Sequence, residues 1–255
     1  MKALFILTLF ISSITLSYSR EYKLVPYEVQ DAAFFAILNA DKETMLKLLN
    51  EGWDPNFDTG SFPLLNAMES ERHHERVLNT VFTDFTPEME EVAQLIFDYG
   101  ADPNYLAKHD NATPLYWAID GDRKKKGLSI CRTEYVHFLL KNGADINKVE
   151  NLGGWETALE NLDNSCGAET TKLLLSYRPK IMEFNCGNGI AKHYSLHKEY
   201  VEAYGGDEKK TPSYWIAQYL IDNYNAPDYR KDLGEYLDWS RKCDRNGGRG
   251  FEILN

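Results

Sequence analysis

The chain has 255 residues, with 39 aspartates and glutamates against 28 lysines and arginines, for a formal net charge of −11. Such a balance fits neither nucleic acid nor an anionic lipid surface, both of which call for basic patches, and it mildly favours a basic partner. The length is enough for one domain or one repeat array with a sizeable core.

The N-terminus reads as a secretory signal. Lys2 is the single charge ahead of ALFILTLFISSITL (3–16), and Ser17 and Ser19 supply small residues at the −3 and −1 positions of a cleavage site before Arg20. The apolar run is shorter than the about 20 residues of a membrane helix, so residues 1–19 are expected to be removed rather than kept as an anchor. No cysteine adjoins the cleavage point, which argues against a lipid anchor. Losing Lys2 takes the net charge to −12. The expectation is an exported protein, periplasmic or secreted, with no membrane span after cleavage.

Further along, three segments share one turn: GWDPN (52–56), GADPN (100–104) and GADIN (143–147). Apolar residues stand three, four and seven positions before each glycine. They are Leu49, Leu48 and Met45, then Phe97, Ile96 and Ala93, then Leu140, Leu139 and Val136. That spacing puts each trio on one helical face, and the glycine predicts a left-handed C-cap. Asp followed two residues later by Asn suits a tight turn, because short polar side chains bond nearby backbone. A second element recurs downstream as FPLLNAM (62–68), TPLYWAI (113–119) and, degraded, TALENL (157–162). Threonine before proline predicts an N-cap with proline at the first helical position. Ala67 and Ala118, one turn on, let a paired helix approach closely.

In this order of turn, capped short helix, second helix and glycine, the chain resembles the ankyrin-repeat family over residues 29–181. The resemblance implies an all-α solenoid of about four helix-turn-helix repeats with β-turn or hairpin fingers, at 28–56, 57–104, 105–147 and 148–181. The first draws its helices from AILNADKETMLKLLNEG (36–52), and the last ends at LLLSYRPKI (173–181), with Arg178 where a glycine is expected. Spacings between these turn positions are 48, 43 and 35 residues, against a family period near 33. The surplus falls in 69–88 and 120–133, and the apolar spacing of VLNTVF (77–82) predicts a lengthened helix in the first insert. The family's histidine in its TPLH box is Leu65, Tyr116 and Glu160 here. Its loss predicts looser hairpins, compensated by disulfides.

Family members bind partner proteins along the finger tips and first helices, so the resemblance implies a binding module with no catalytic site. Carried onto this chain, the tips are Phe57, Asp58, Tyr105, Leu106, Lys148 and Glu150. The exposed parts of the first helices include Asn66 and Tyr116, with Trp117 packed between repeats. The expected partner is a protein, basic in character, bound by a monomer. Among exported members the first role is an immunity-type inhibitor of a toxin or lytic enzyme. Support of a periplasmic enzyme, or an effector role on host proteins, are the alternatives.

Residues 182–255 do not match the repeat. Two helices are expected there, PSYWIAQYLIDNY (212–224) and PDYRKDLGEYLDWSRKC (227–243), as a helical cap over the end of the stack. The competing expectation is a hydrolase module. His193 and His197 stand four apart, but no Glu follows the first as in HExxH, and they read as surface histidines. No nucleotide-binding or nucleophile motif occurs, so no cofactor, metal or catalytic residue is assigned. Cys131, Cys166, Cys186 and Cys243 allow two disulfides in three pairings, of which Cys131–Cys166 with Cys186–Cys243 is preferred.

Overall fold

The computed structural model describes residues 25–59, 62–63, 65, 85–108, 111–119, 133–148, 150–151, 155–162, 166–180, 198, 201–202 and 204–245. The signal segment, the apolar stretch 77–82, the insert around 120–132, and His193 and His197 lie outside the described residues.

Helix α1 (Tyr27–Leu38) folds back onto α2 (Lys42–Asn50) through a turn in which Ala40 takes φ of 50°. Asp41 caps α2 by accepting from the Thr44 amide at 3.0 Å and the Thr44 hydroxyl at 2.7 Å, and these bonds hold its carboxyl below the usual range. A two-stranded finger follows, β1 (Asp58–Thr59) against β2 (Phe62–Pro63), antiparallel. Helix α3 (Pro87–Asp98) starts at Thr86, whose hydroxyl accepts from the Met89 amide at 3.3 Å, with Pro87 in the first turn. Helix α4 (Pro114–Ile119) starts in the same way at Thr113, which accepts from the Tyr116 amide at 3.2 Å. Both starts rest on elementary capping, though only Thr113–Pro114 is read from the sequence: the missing proline N–H falls where no intrahelical partner exists.

Next come α5 (Thr133–Lys141), a second finger of β3 (Glu150–Asn151) and β4 (Trp155–Glu156), the single turn α6 (Ala158–Asn161) and α7 (Gly167–Ser176). A 3-10 turn (Glu208–Lys210) leads into α8 (Pro212–Tyr224), and α9 (Leu233–Arg245) follows. The second helices stack side by side. Helix α2 packs on α3, α5 on α7 and α7 on α8, while the Phe97 and Phe138 rings, 5.5 Å apart, join α3 to α5. The first helices α4 and α6 pack on one another, and α1 also meets α3. The result is a helical solenoid.

The apolar trios read from sequence supply the core. Met45, Ile96, Val136 and Leu139 are fully buried, together with Ile37, Leu115 and Ile119 from the first helices. Each repeat therefore hides its apolar stripe on its neighbours rather than within itself. Among the described residues no helix is long and apolar enough to cross a membrane.

Candidate partner-binding face

Gly52, Gly100 and Gly143 end α2, α3 and α5 with φ of 85°, 98° and 94°, the left-handed cap their positions predict. After each one the Asp side chain closes its own turn: Asp54, Asp102 and Asp145 accept from the amides of Asn56, Asn104 and Asn147 at 2.8–2.9 Å. The asparagines do something the local reading missed. Asn56 accepts from the Asp102 amide at 2.7 Å and donates to the Gly100 carbonyl at 3.4 Å. Asn104 does the same one repeat on, with the Asp145 amide at 2.6 Å and the Gly143 carbonyl at 2.9 Å. Asn147 accepts from the Lys180 amide at 2.7 Å, so the fourth turn joins the series although Arg178, at φ 53°, replaces its glycine. The turns are thus laced to one another by a row of asparagine side chains. These turn-to-turn ties exist without the family's histidine.

The expected binding residues fall into three groups. Phe57, Tyr105, Leu106 and Lys148 are half-buried at the bases of the fingers, and Phe57 packs against the core. Asp58 and Glu150 lie in the hairpins, paired through their backbones with Pro63 and Glu156; their side chains, and Asn66, lie outside the described residues. Tyr116 differs from expectation. It is 8% exposed, and its neighbour Trp117, expected between repeats, is half-buried, with the two rings edge to face at 5.8 Å. Adjacent residues point about 100° apart on a helix, and the stack covers the Tyr116 side.

The well-exposed large apolar residues among those described are Tyr27, Phe35, Leu46 and Tyr177. None was singled out from sequence. The signal was present in α1, where Tyr27 and Phe35 stand eight apart, but only the packing shows which stripe of so apolar a helix stays uncovered.

Beyond the fourth turn a different chemistry takes over. Position 182 is Met, not Asn, so the row of asparagines ends. In its place Tyr219 and Tyr224 of α8 donate to the Pro179 carbonyl at 2.7 and 3.4 Å. Burial, then the neighbouring Tyr224, pushes the Tyr219 hydroxyl well above its ordinary pKa. Tyr229 is fully buried and donates to the Ser213 carbonyl at 2.5 Å; burial, then Tyr236, raises its pKa likewise. Beside it, Asp228 grips the Arg230 guanidinium with both oxygens, at 2.7 and 2.8 Å, and Arg230 lies over the Tyr214 ring at 4.7 Å. Burial opposes ionisation of Asp228, but the Arg230 bonds and charge outweigh it and hold the carboxyl low.

Among the described residues no group of His, Cys, Asp and Glu could hold a metal ion. Residues 110–151 match the family model for the ankyrin repeat. No curated protein matches the chain.

Proposed function

We propose that this chain, an ankyrin-repeat protein, works by holding another protein against the face its laced turns and fingers create. Ankyrin repeats are protein–protein interaction modules and in general have no chemistry of their own. The observation that carries the reading is the asparagine lacing, which fixes successive fingers in one register across 39–46 residues of intervening chain. A pre-ordered surface gives up little conformational freedom on binding, so less of its contact energy is offset by ordering.

The finer reading is an exported protein that neutralises a basic toxin or lytic enzyme as a monomer. It is supported by the signal-like N-terminus, the acidic balance and the cysteines. Cys166 is a buried half-cystine whose sulfur lies 3.3 Å from the Ile119 carbonyl oxygen. Pairing with Cys131 is favoured by the 2.6 Å contact between the Thr133 and Thr170 hydroxyls, since Cys131 and Cys166 stand just ahead of these residues in sequence. Support of a periplasmic enzyme, or action on host proteins, would use the same face.

The test is capture by the mature, oxidised protein from its native extract, alongside a Phe57→Ala/Tyr105→Ala variant. One stoichiometric, basic partner lost in the variant is the expected result. An empty capture at low salt would exclude a stable inhibitor. Peptide mapping without reductant checks the cystines; a Cys131–Cys166 peptide is expected, and Cys166 linked elsewhere would refute the pairing.

A further inference from the structure

The two ends of the stack meet water differently. At the C-terminal end Lys231 and Asp232, just ahead of α9, and Glu235 and Asp238 on it are exposed, while α9 buries Tyr236 and Ser240. That is the polar outer face a terminal unit needs for solubility. At the other end the exposed residues of α1 are Tyr27, Glu28, Asp31 and Phe35. Steps of four place Tyr27, Asp31 and Phe35 in one line along the helix, with Glu28 beside it. Tyr27 is 69% exposed and Phe35 38%, so two aromatic rings frame an acid where a polar face is the rule.

We propose that this stripe anchors a basic segment of the partner protein, with arginine or lysine stems lying on the Tyr27 and Phe35 rings and their charges meeting Asp31 and Glu28. The inference rests on the protein-binding reading and adds an anchor on α1 to the contacts at the finger bases. Charge complementarity names the occupant: α1 carries two acids and no lysine or arginine, in a chain of net charge −11. The nearest bases in sequence are Lys23, which lies outside the described residues, and Lys42, which is engaged by Glu91 at 2.8 Å. The molecule also contains the same recognition in closed form, because Arg230 is held between the Tyr214 ring and the Asp228 carboxylate. On α1 the ring and the acid are present, and the helix itself carries no cation. Aromatic rings with few rotatable bonds, flanked by acids, are the residue types that dominate interface energetics and hold guanidinium groups.

The experiment titrates the full oxidised chain with a short amphipathic arginine–leucine peptide and with its counterpart carrying glutamate for every arginine. The arginine peptide should bind, and the glutamate peptide should not. A Tyr27→Ser/Phe35→Ser variant should weaken binding about tenfold or more, and Asp31→Asn should weaken it and flatten its salt dependence. These residues are exposed, so unchanged melting verifies that the variants fold. Equal affinity of the α1 variants overturns the proposal. If Phe57→Ser/Tyr105→Ser abolishes peptide binding and the α1 variants leave it unchanged, the α1 anchor fails while the binding-module reading stands. A dimer that the α1 variant dissociates would assign the stripe to a second copy, and tighter binding after removal of residues 20–24 would assign it to the chain's own N-terminal segment; either result overturns the proposal.

A different observation supports a second inference: we infer that α8 is the second helix of a divergent fifth repeat, not part of an added cap. It starts at Thr211–Pro212 as α3 starts at Thr86–Pro87, with the threonine accepting from a backbone amide at 3.3 Å in both. Gln218 bonds Asp222 at 2.9 Å as Gln94 bonds Asp98 at 2.9 Å. Ser213, Ile216, Ala217 and Leu220 are buried at the spacing of Met89, Val92, Ala93 and Ile96. Both helices end at a left-handed residue, Gly100 or Asn225, followed by a buried alanine. Helix α8 packs on α7 as α3 packs on α2. Hydrogen exchange on the full chain carrying Ile216→Ala decides it. A repeat passes the damage to its neighbour, so α7 and the turn at 177–180 should lose protection along with α8. Loss confined to 204–245 would overturn the inference.

Discussion

The turns of the first four repeats and the joint between α7 and α8 do one job with two chemistries. Between repeats, Asn56, Asn104 and Asn147 reach exposed backbone groups of the next turn. At the joint, buried phenols of Tyr219 and Tyr224 reach the Pro179 carbonyl. An amide side chain does not titrate and works in water, so each such tie is modest and insensitive to pH. A buried hydroxyl serves a carbonyl that water cannot reach, which makes each tie costlier to lose and open to titration. The lesson is that the stack is evenly held along its turns but hinges, at its C-terminal end, on a few buried rings.

The severest way to break the comparison is Tyr229→Ala. The ring is fully buried and its hydroxyl satisfies Ser213, so about 3–5 kcal/mol should be lost. Denaturant unfolding should show it, with exchange rising first in 204–245. An early, uniform loss across α2, α3 and α5 would contradict the separation of the two regions.

Next in size is alkaline pH. Tyr219 and Tyr229 have folded-state pKa values raised above the ordinary phenol value. Their stabilisation is therefore complete below pH about 10 and declines as pH rises further, since the unfolded chain gives up the protons first. Phenolate absorbance and far-ultraviolet circular dichroism, followed together, should register a joint transition above pH 10 that Tyr219→Phe shifts. Asp228 has the opposite sign. Its carboxyl is held low, so its contribution is present above about pH 4 and is lost on acidification through its folded value.

Asn104→Ala removes one exposed tie, with its bonds to the Asp145 amide and the Gly143 carbonyl. A loss of roughly 1–2 kcal/mol is expected, with faster exchange at the Asp145 amide and no dependence on pH. A change in the alkaline transition would show that the two kinds of tie are not independent.

Smallest is the backbone itself. Arg178 and Gly143 occupy the same left-handed cap position. Arg178→Gly should stabilise by about 1 kcal/mol, and Gly143→Ala should destabilise by about as much. Steric conflict does not explain the latter, as an added Cβ at 143 meets only Pro103 Cγ at 3.9 Å. Equal melting of all three proteins would mean that turn strain is relieved elsewhere.

Much of this architecture was legible in advance because its signals are local. Threonine caps, proline at first helical positions, glycine at helix ends and apolar trios three, four and seven residues before them each depend on a few neighbouring residues. The asparagine of each turn was legible as a turn residue and not as a lace, since its partners are backbone groups one repeat away that carry no side-chain signature. The burial of Tyr116 was not legible for a related reason: in a six-residue helix the phase is poorly defined, and the neighbouring repeats decide which ring is covered. The kinship of α8 with α3 was obscured because Asn225 stands in for glycine and the helix is one residue longer, 13 against 12.

By itself, then, the sequence determined the unit: where each helix starts and stops, which stripe is apolar, and that such a stripe must be hidden against another copy of the same unit. Only the tertiary structure decided how the units are tied and where the stack is left bare. Those outcomes depend on contacts between residues tens of positions apart, whose energies arise from backbone carbonyls, exclusion of water and the covering of one helix face by the next, and none of these is written in any single stretch of the chain.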